Sequence, residues 1–333
     1  MSAMCKSVPI FPEYMYLVNK AKHYRRGGYR PGTAANHRCM WRKFIKFCNK
    51  YRVNYINPTI DTICAYLQVL IDSFKSAKSV AAHFGAIRLR HKYMAKEAKN
   101  LDAFEVTLML RAAALNMRHI PTRKLAIPVK VLRVMCNLCE TQGPQGLVIK
   151  VGILLAYFGF LRASNVCPKS ASSFDLSRHL SRADIRFGLP GLLIWLKWSK
   201  TLQKAQQPQI IPIVTSPDAS LNAVAAYARM IRIIPAAPTS PALIFPGGKV
   251  CTIDKFRKAF AAIRDILGLP PKLFNLHSLR RSGATSAYYS GASYVDIQRQ
   301  GCWSTSCFMD YIAKQAPHKS SICKALQKAT NLE

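Results

Sequence analysis

Acidic residues are scarce in this 333-residue chain: 15 Asp and Glu stand against 49 Lys and Arg, for a formal net charge of +34. There is no obvious cluster of carboxylates and no Walker-type phosphate loop, so neither a carboxylate-held metal nor a nucleoside triphosphate is signalled. The 11 cysteines follow no disulfide-like framework, which points to reduced thiols in a cytosolic or nuclear setting. Cys136 and Cys139 form a CxxC, but no second pair accompanies them and apolar neighbours favour core packing over zinc. No continuous apolar stretch follows the N-terminus, so no signal peptide is expected. The longest apolar run, Val151 to Leu161, is shorter than the roughly 20 residues that span a bilayer. Internal repeats and long low-complexity segments are also missing.

What is present is an apolar half of the composition, enough for a substantial core, and a chain long enough for two domains. The positive charge is spread along it. Residues 1–120 hold 21 basic and 6 acidic residues, a net of +15, which leaves 28 and 9, or +19, for 121–333. Two folded segments, both strongly basic, fit a protein that surrounds a polyanion. Each cation that neutralises a phosphate releases a counterion, so binding should weaken steeply with salt. A ribosomal-type structural protein or an anionic-membrane binder would share the charge, but no long basic amphipathic helix or lipidation signal is visible.

Residues 1–30, with Pro9, Pro12 and an Arg25–Arg26–Gly27–Gly28 turn, read as a flexible N-terminal segment. Thr33 is the expected N-cap of a helix to about Tyr51, with Trp41, Phe44, Ile45 and Cys48 at helical spacing. Its other side carries Arg38, Arg42, Lys43, Lys46 and Lys50, facing solvent or a phosphate backbone. Further helices are expected at Ile60–Phe74 behind Thr59, from Ser76 or Ser79 to about Lys99 (including Arg88), and at Asp102–Asn116. This gives a helical domain over 31–117, and the proline-bearing stretch 118–128 reads as a linker. The second domain, 129–333, opens with helices at Val129–Glu140 and Gln145–Leu161. A β-hairpin follows, Leu192–Trp198 and Gln209–Val214, around a turn holding Lys200 and Lys204. Helices are then expected at 219–234 and 253–267, in two segments joined at Gly291, and at Ser320–Lys328.

A few residues stand out chemically. His277 and Arg280 share a helix face, and an arginine fork beside an imidazole suits a phosphate. Arg281, one turn from His277, competes for the role. Arg162 follows the apolar GILLAYFGFL, where a cation has either a specific partner or a place at a helix C-terminus. Lys200 is also readable as a solvated turn lysine, and Tyr311, in FMDYI, as a core residue.

In order, Arg162, Lys200, His277-x-x-Arg280 and Tyr311 resemble the signature of the tyrosine recombinase (integrase) superfamily. FGFLRASNV, WSKTLQ, HSLRRSGAT and GCWSTSCFMDYI look most like eukaryotic mobile-element recombinases of the Crypton and DIRS type. The resemblance runs from about Thr33 onward and is specific in the second half. It implies a mainly α fold with a small β-sheet: a helical, SAM-like core-binding domain and an α+β catalytic domain, closing on duplex DNA as a C-shaped clamp. It further implies that Arg162 and Arg280 clamp the scissile phosphate and His277 assists them. Lys200 would protonate the leaving 5′-oxygen, and Tyr311 would be the nucleophile. Two positions depart from the pattern. An acidic residue usually stands where this chain has Asn165. The His or Trp nine residues before the tyrosine is Cys302, so Trp303 is taken to fill that role by a one-residue shift.

The expected activity is therefore site-specific cutting and rejoining of DNA through a 3′-phosphotyrosyl link. Because that link conserves the phosphodiester energy, no cofactor, metal or ATP is expected. The partners are double-stranded DNA, contacted also by Arg38, Arg42, Lys43, Lys46, Arg88 and Arg281, and further copies of the chain. Those copies would form a tetramer on DNA, with a dimer or monomer without it and Ser320–Lys328 packing on a neighbour. The compartment would be the nucleus, or the cytoplasm and nucleoid outside eukaryotes. The alternatives are a type IB topoisomerase-like swivelase and a domesticated DNA-binding protein without turnover.

Overall fold

The computed structural model describes residues 11–94, 99–120, 122–189, 191–199 and 207–312. These divide into two compact units, one up to Pro121 and one from Thr122.

The first unit is helical. Helix α1, Pro12–Arg26, occupies the segment expected to be flexible. Pro12 lies in its first turn, where a missing N–H costs nothing, Glu13 faces the positive helix end, and Gly27 follows the last residue. Its side chains are almost all exposed. Helix α2, Pro31–Lys50, starts before Thr33 because Pro31 takes the first position behind Arg30. Helix α3, Ile60–Ser73, is capped by the Thr59 hydroxyl, which accepts from the Thr62 N–H. Helix α4, Ala77–Tyr93, follows Ser76, and α5 spans Phe104–Asn116 after a 3₁₀ turn at Lys99–Asp102. Trp41, Phe44, Tyr66, Leu67, Phe84 and Ile87 form the core. His91 is buried among them, its ring nitrogens spanning the Ile87 and Tyr55 carbonyls at 3.0 and 3.1 Å.

In the second unit, α6 is Val129–Glu140, as the apolar spacing predicts, and α7 is Gly143–Phe158. Helix α7 holds most of the longest apolar run and is buried nearly all round, so it is the axis of the core. Its one buried charge, Lys150, meets Glu140 at 2.6 Å. Cys136 and Cys139 of α6 lie fully buried in the same core, and burial pushes the Cys136 thiol up to about 12.

After α8, Ala163–Val166, come three antiparallel strands in order: β1, Ile185–Gly188; β2, Gly191–Leu196; and β3, Gln209–Val214. Leu192 pairs with Ile213 and Ile194 with Ile211, all four facing the core. The expected two-stranded hairpin has therefore gained a third strand, β1. Four residues with a single fully buried side chain carry too little alternation to be seen. Helix α9, Ala223–Ile233, and α10, Ile253–Ile266, complete the core. Helix α11, Leu276–Tyr289, and α12, Tyr294–Gln300, meet at Gly291, whose φ of +89° suits glycine. A 3₁₀ turn, Ser306–Asp310, leads to Tyr311. Lys200, Lys204 and Ser320–Lys328 lie outside the described residues.

Candidate active site

Helix α11 brings the site together because it lies unusually close to the end of α7. A Cβ on Gly283 would sit 2.1 Å from the Tyr157 carbonyl oxygen, so only glycine permits this contact. Asn275 starts the helix by accepting the His277 N–H at 2.9 Å. The neighbouring turn then carries Arg280 to the Phe160 carbonyl, which accepts from Nη1. Phe160 has φ +47°, a left-handed conformation in the bend between α7 and α8.

Arg280 is 2% exposed, and Nη2 donates to the Gly301 carbonyl at 2.7 Å. Its guanidinium carbon lies 4.0 Å from the centre of the Trp303 ring and 5.5 Å from that of Tyr311. Nε has no partner among the described residues. Burial, then the charge of Arg162, pulls its pKa down to about 9, against the favourable influence of Tyr311 and Cys302. The group stays charged at neutral pH, but as a desolvated cation with no carboxylate paired to it among the described residues. An anion at this point would relieve it.

Arg162 is half-buried at the start of α8. Its backbone N–H donates to Asn165 Oδ1 at 3.0 Å, and Asn165 Nδ2 donates to the Trp198 carbonyl at 2.9 Å. Asn165 thus orients the backbone of Arg162 and ties it to the end of β2, just before Lys200. Arg162 is a cap residue of α8, past the end of α7, and not the C-terminal cation of a long helix.

Trp303 and Cys302 both border Arg280, by different means. Trp303 is 5% exposed, with its ring 5.1 Å from Tyr311 and 6.1 Å from Phe160. Its Nε1 is buried without a partner among the described residues, so the ring face makes its contacts. Cys302 takes φ +50° and is half-buried; desolvation raises its thiol pKa, while Arg280 and Arg162 lower it. Gly301 makes the turn possible, since a Cβ there would lie 1.7 Å from the indole.

The Tyr311 ring meets His277 edge-on at 5.1 Å. His277 is exposed as a residue, yet partial desolvation of its ring, followed by the charges of Arg280, Arg162 and Arg281, lowers its pKa. The structure therefore gathers Arg162, His277, Arg280, Trp303 and Tyr311 around one point. Arg281, expected to face DNA, donates from Nη1 to the Asp310 carbonyl at 2.7 Å. Thr285, Gly301 and Asp310 were not singled out from sequence. A glycine directly before Cys302–Trp303 was the one available signal.

In the first unit, Arg38, Arg42, Lys43 and Lys46 are exposed on α2, and Arg88 pairs with Asp102. Arg38 and Arg42 join Arg90, Trp41 and Tyr93 in a groove of about 840 Å³ between α2 and α4.

No family model matches the chain. It is 26% identical over 293 residues to the integrase/recombinase XerD homolog of Selenomonas ruminantium, covering 84% of this chain and 81% of that one. Residues 75–356 of lambda integrase superpose with a TM-score of 0.58 at 15% identity, over 91% of this chain and 96% of that one. The fold is the one seen in lambda integrase. The Tn1549 transposon integrase (TM-score 0.59, 16% identity, 93% and 98% coverage) and the site-specific recombinase XerH (0.58, 14%, 84% and 76%) share it.

Proposed function

We propose that the chain is a site-specific DNA recombinase that cuts and rejoins duplex DNA through Tyr311. The observation that carries this reading is the under-compensated buried cation, Arg280, beside a tyrosine and flanked by Arg162 and His277. Such a cluster holds the non-bridging oxygens of a phosphodiester and stabilises the charge of the transition state. The Tyr311 phenol passes its proton to the imidazole of His277, whose ring lies against it, and its oxygen attacks phosphorus to form the O–P bond. The P–O5′ bond breaks, and Lys200 supplies the proton to the leaving 5′-oxygen. Attack by a 5′-hydroxyl of another strand reverses these steps. One phosphodiester-type bond replaces another, so the exchange needs no ATP and no metal.

Both units are strongly basic, which supports a DNA partner along the whole chain. Among solved structures of this fold, lambda integrase was captured as a tetramer bound to a Holliday junction, and the Tn1549 integrase in complex with transposon right-end DNA. These favour a tetrameric synapse and service to a mobile element, by integration or excision; the Crypton or DIRS type rests on the resemblance of the FGFLRASNV, WSKTLQ and HSLRRSGAT segments alone.

The test is covalent trapping on a pool of nicked duplexes with a randomised core. Wild type should give SDS-stable adducts enriched in one sequence, and Tyr311→Phe none at similar DNA affinity. Equal trapping by the two proteins would remove Tyr311 as nucleophile. Relaxation of supercoiled DNA without sequence preference would favour a swivelase instead.

A further inference from the structure

We infer that Arg281 and Thr285 are positioning residues that hold the Tyr311 turn onto α11, an inference that rests on the proposed role of Tyr311. Residues 277, 281 and 285 are four apart and form one stripe along this helix. All three meet the tyrosine segment. The His277 ring lies against the Tyr311 ring, Arg281 Nη1 donates to the Asp310 carbonyl at 2.7 Å, and Thr285 Oγ1 donates to the Tyr311 carbonyl at 3.1 Å. One helix therefore carries two phosphate-facing groups and also the clamp for the nucleophile.

The turn needs such a clamp. Ser306–Asp310 is a single 3₁₀ segment of five residues, a form with poor internal hydrogen-bond geometry. The last carbonyls of any helical segment lack partners within it, and here two of them are taken by side chains of α11. Burial and the nearby Arg123 disfavour the charge on Arg281, while Asp310 and Tyr311 favour it, so Arg281 gains by staying on the turn. Arg123 adds an outer tie, meeting the Asp310 carboxylate at 2.9 Å. Both groups of that pair are well exposed and screened by water, so it contributes less than the two bonds from α11.

In-line attack requires the phenolic oxygen within a few tenths of an ångström of its place, and a misplacement of about 1 Å costs up to about a hundredfold in rate. The experiment uses the full chain and the randomised pool of nicked duplexes, with Thr285→Val, Thr285→Ser and Arg281→Met. Thr285→Val should slow covalent trapping by about tenfold or more, with DNA affinity within about twofold of wild type. Thr285→Ser, which keeps the hydroxyl, should recover most of the rate, and Arg281→Met should slow trapping at least as much as Thr285→Val. Backbone deuterium uptake over 306–312 should rise in the Val and Met variants and stay unchanged in α7.

Unchanged trapping and uptake would overturn the inference, as would a folded Thr285→Ser protein no better than Thr285→Val. Raised uptake in α7 would signal general unfolding, and the Ser variant then decides. If wild type forms no adduct, or Tyr311→Phe forms as much, the recombinase reading fails. Uptake over 306–312 still reports whether the clamp exists.

Discussion

The guanidinium of Arg280 rests 4.0 Å from the centre of the Trp303 ring, on an indole that also abuts Tyr311. The indole thus shapes the site from below, filling space beneath the cation and the tyrosine together. Removing it in Trp303→Ala opens a cavity in the cluster with Phe160, Ile297 and Phe308, at a cost of about 3–5 kcal/mol. Urea denaturation should show that loss, whereas Trp303→Phe should unfold closer to wild type and still trap DNA more slowly. A Trp303→Ala protein as stable and as active as wild type would contradict this packing.

Gly301→Ala should reproduce the same defect from the backbone side. Its added methyl cannot coexist with the indole in its present place, so the ring must leave Arg280. Crystallography or indole fluorescence of the variant would show a displaced Trp303. Cleavage should fall while DNA affinity holds, because the excess of Lys and Arg spread over both units is unchanged.

Arg280→Lys is expected to be nearly as damaging to trapping as Arg280→Ala. A lysine keeps one charge but cannot serve the Phe160 and Gly301 carbonyls as a flat fork while stacking on Trp303. Single-turnover trapping on the nicked substrate measures this directly, and retention of most of the wild-type rate in Arg280→Lys would argue against it.

His277 gives a pH signature. Partial desolvation and three arginines hold its pKa below the ordinary 6.5 in the free protein. The unfolded chain therefore takes up this proton first as pH falls. The contribution of His277 to stability is intact above about pH 6.5 and is lost as pH drops below it through the folded pKa. A bound phosphate reverses the local field, so duplex DNA should move the titration midpoint upward. Proton NMR of the imidazole with and without DNA reads both, and a free-protein midpoint above 6.5 would refute the electrostatic picture.

Salt should weaken DNA binding steeply. Replacing Arg38 or Arg42 with Ala should lower the slope of log affinity against log salt by about one each, and weaken binding across sequences evenly. Titrations between low and moderate salt distinguish this from loss of sequence preference.

Helices such as α6 and α3 were legible in the chain because their apolar spacing and the Thr59 cap are local signals. Helix α1 was not expected because proline signals both a loop and a first helical turn, and β1 was missed because it is too short to show a period. The same division holds at the site. The order Arg162, His277, Arg280, Tyr311 and the excess of positive charge are properties of the sequence alone. That Arg280 is held by carbonyls 120 and 21 residues away, and that the turn before Tyr311 leans on Arg281 and Thr285, was decided only by tertiary packing. The physical reason is that these contacts depend on how closely α11 can approach α7 at Gly283, a distance that no local pattern encodes.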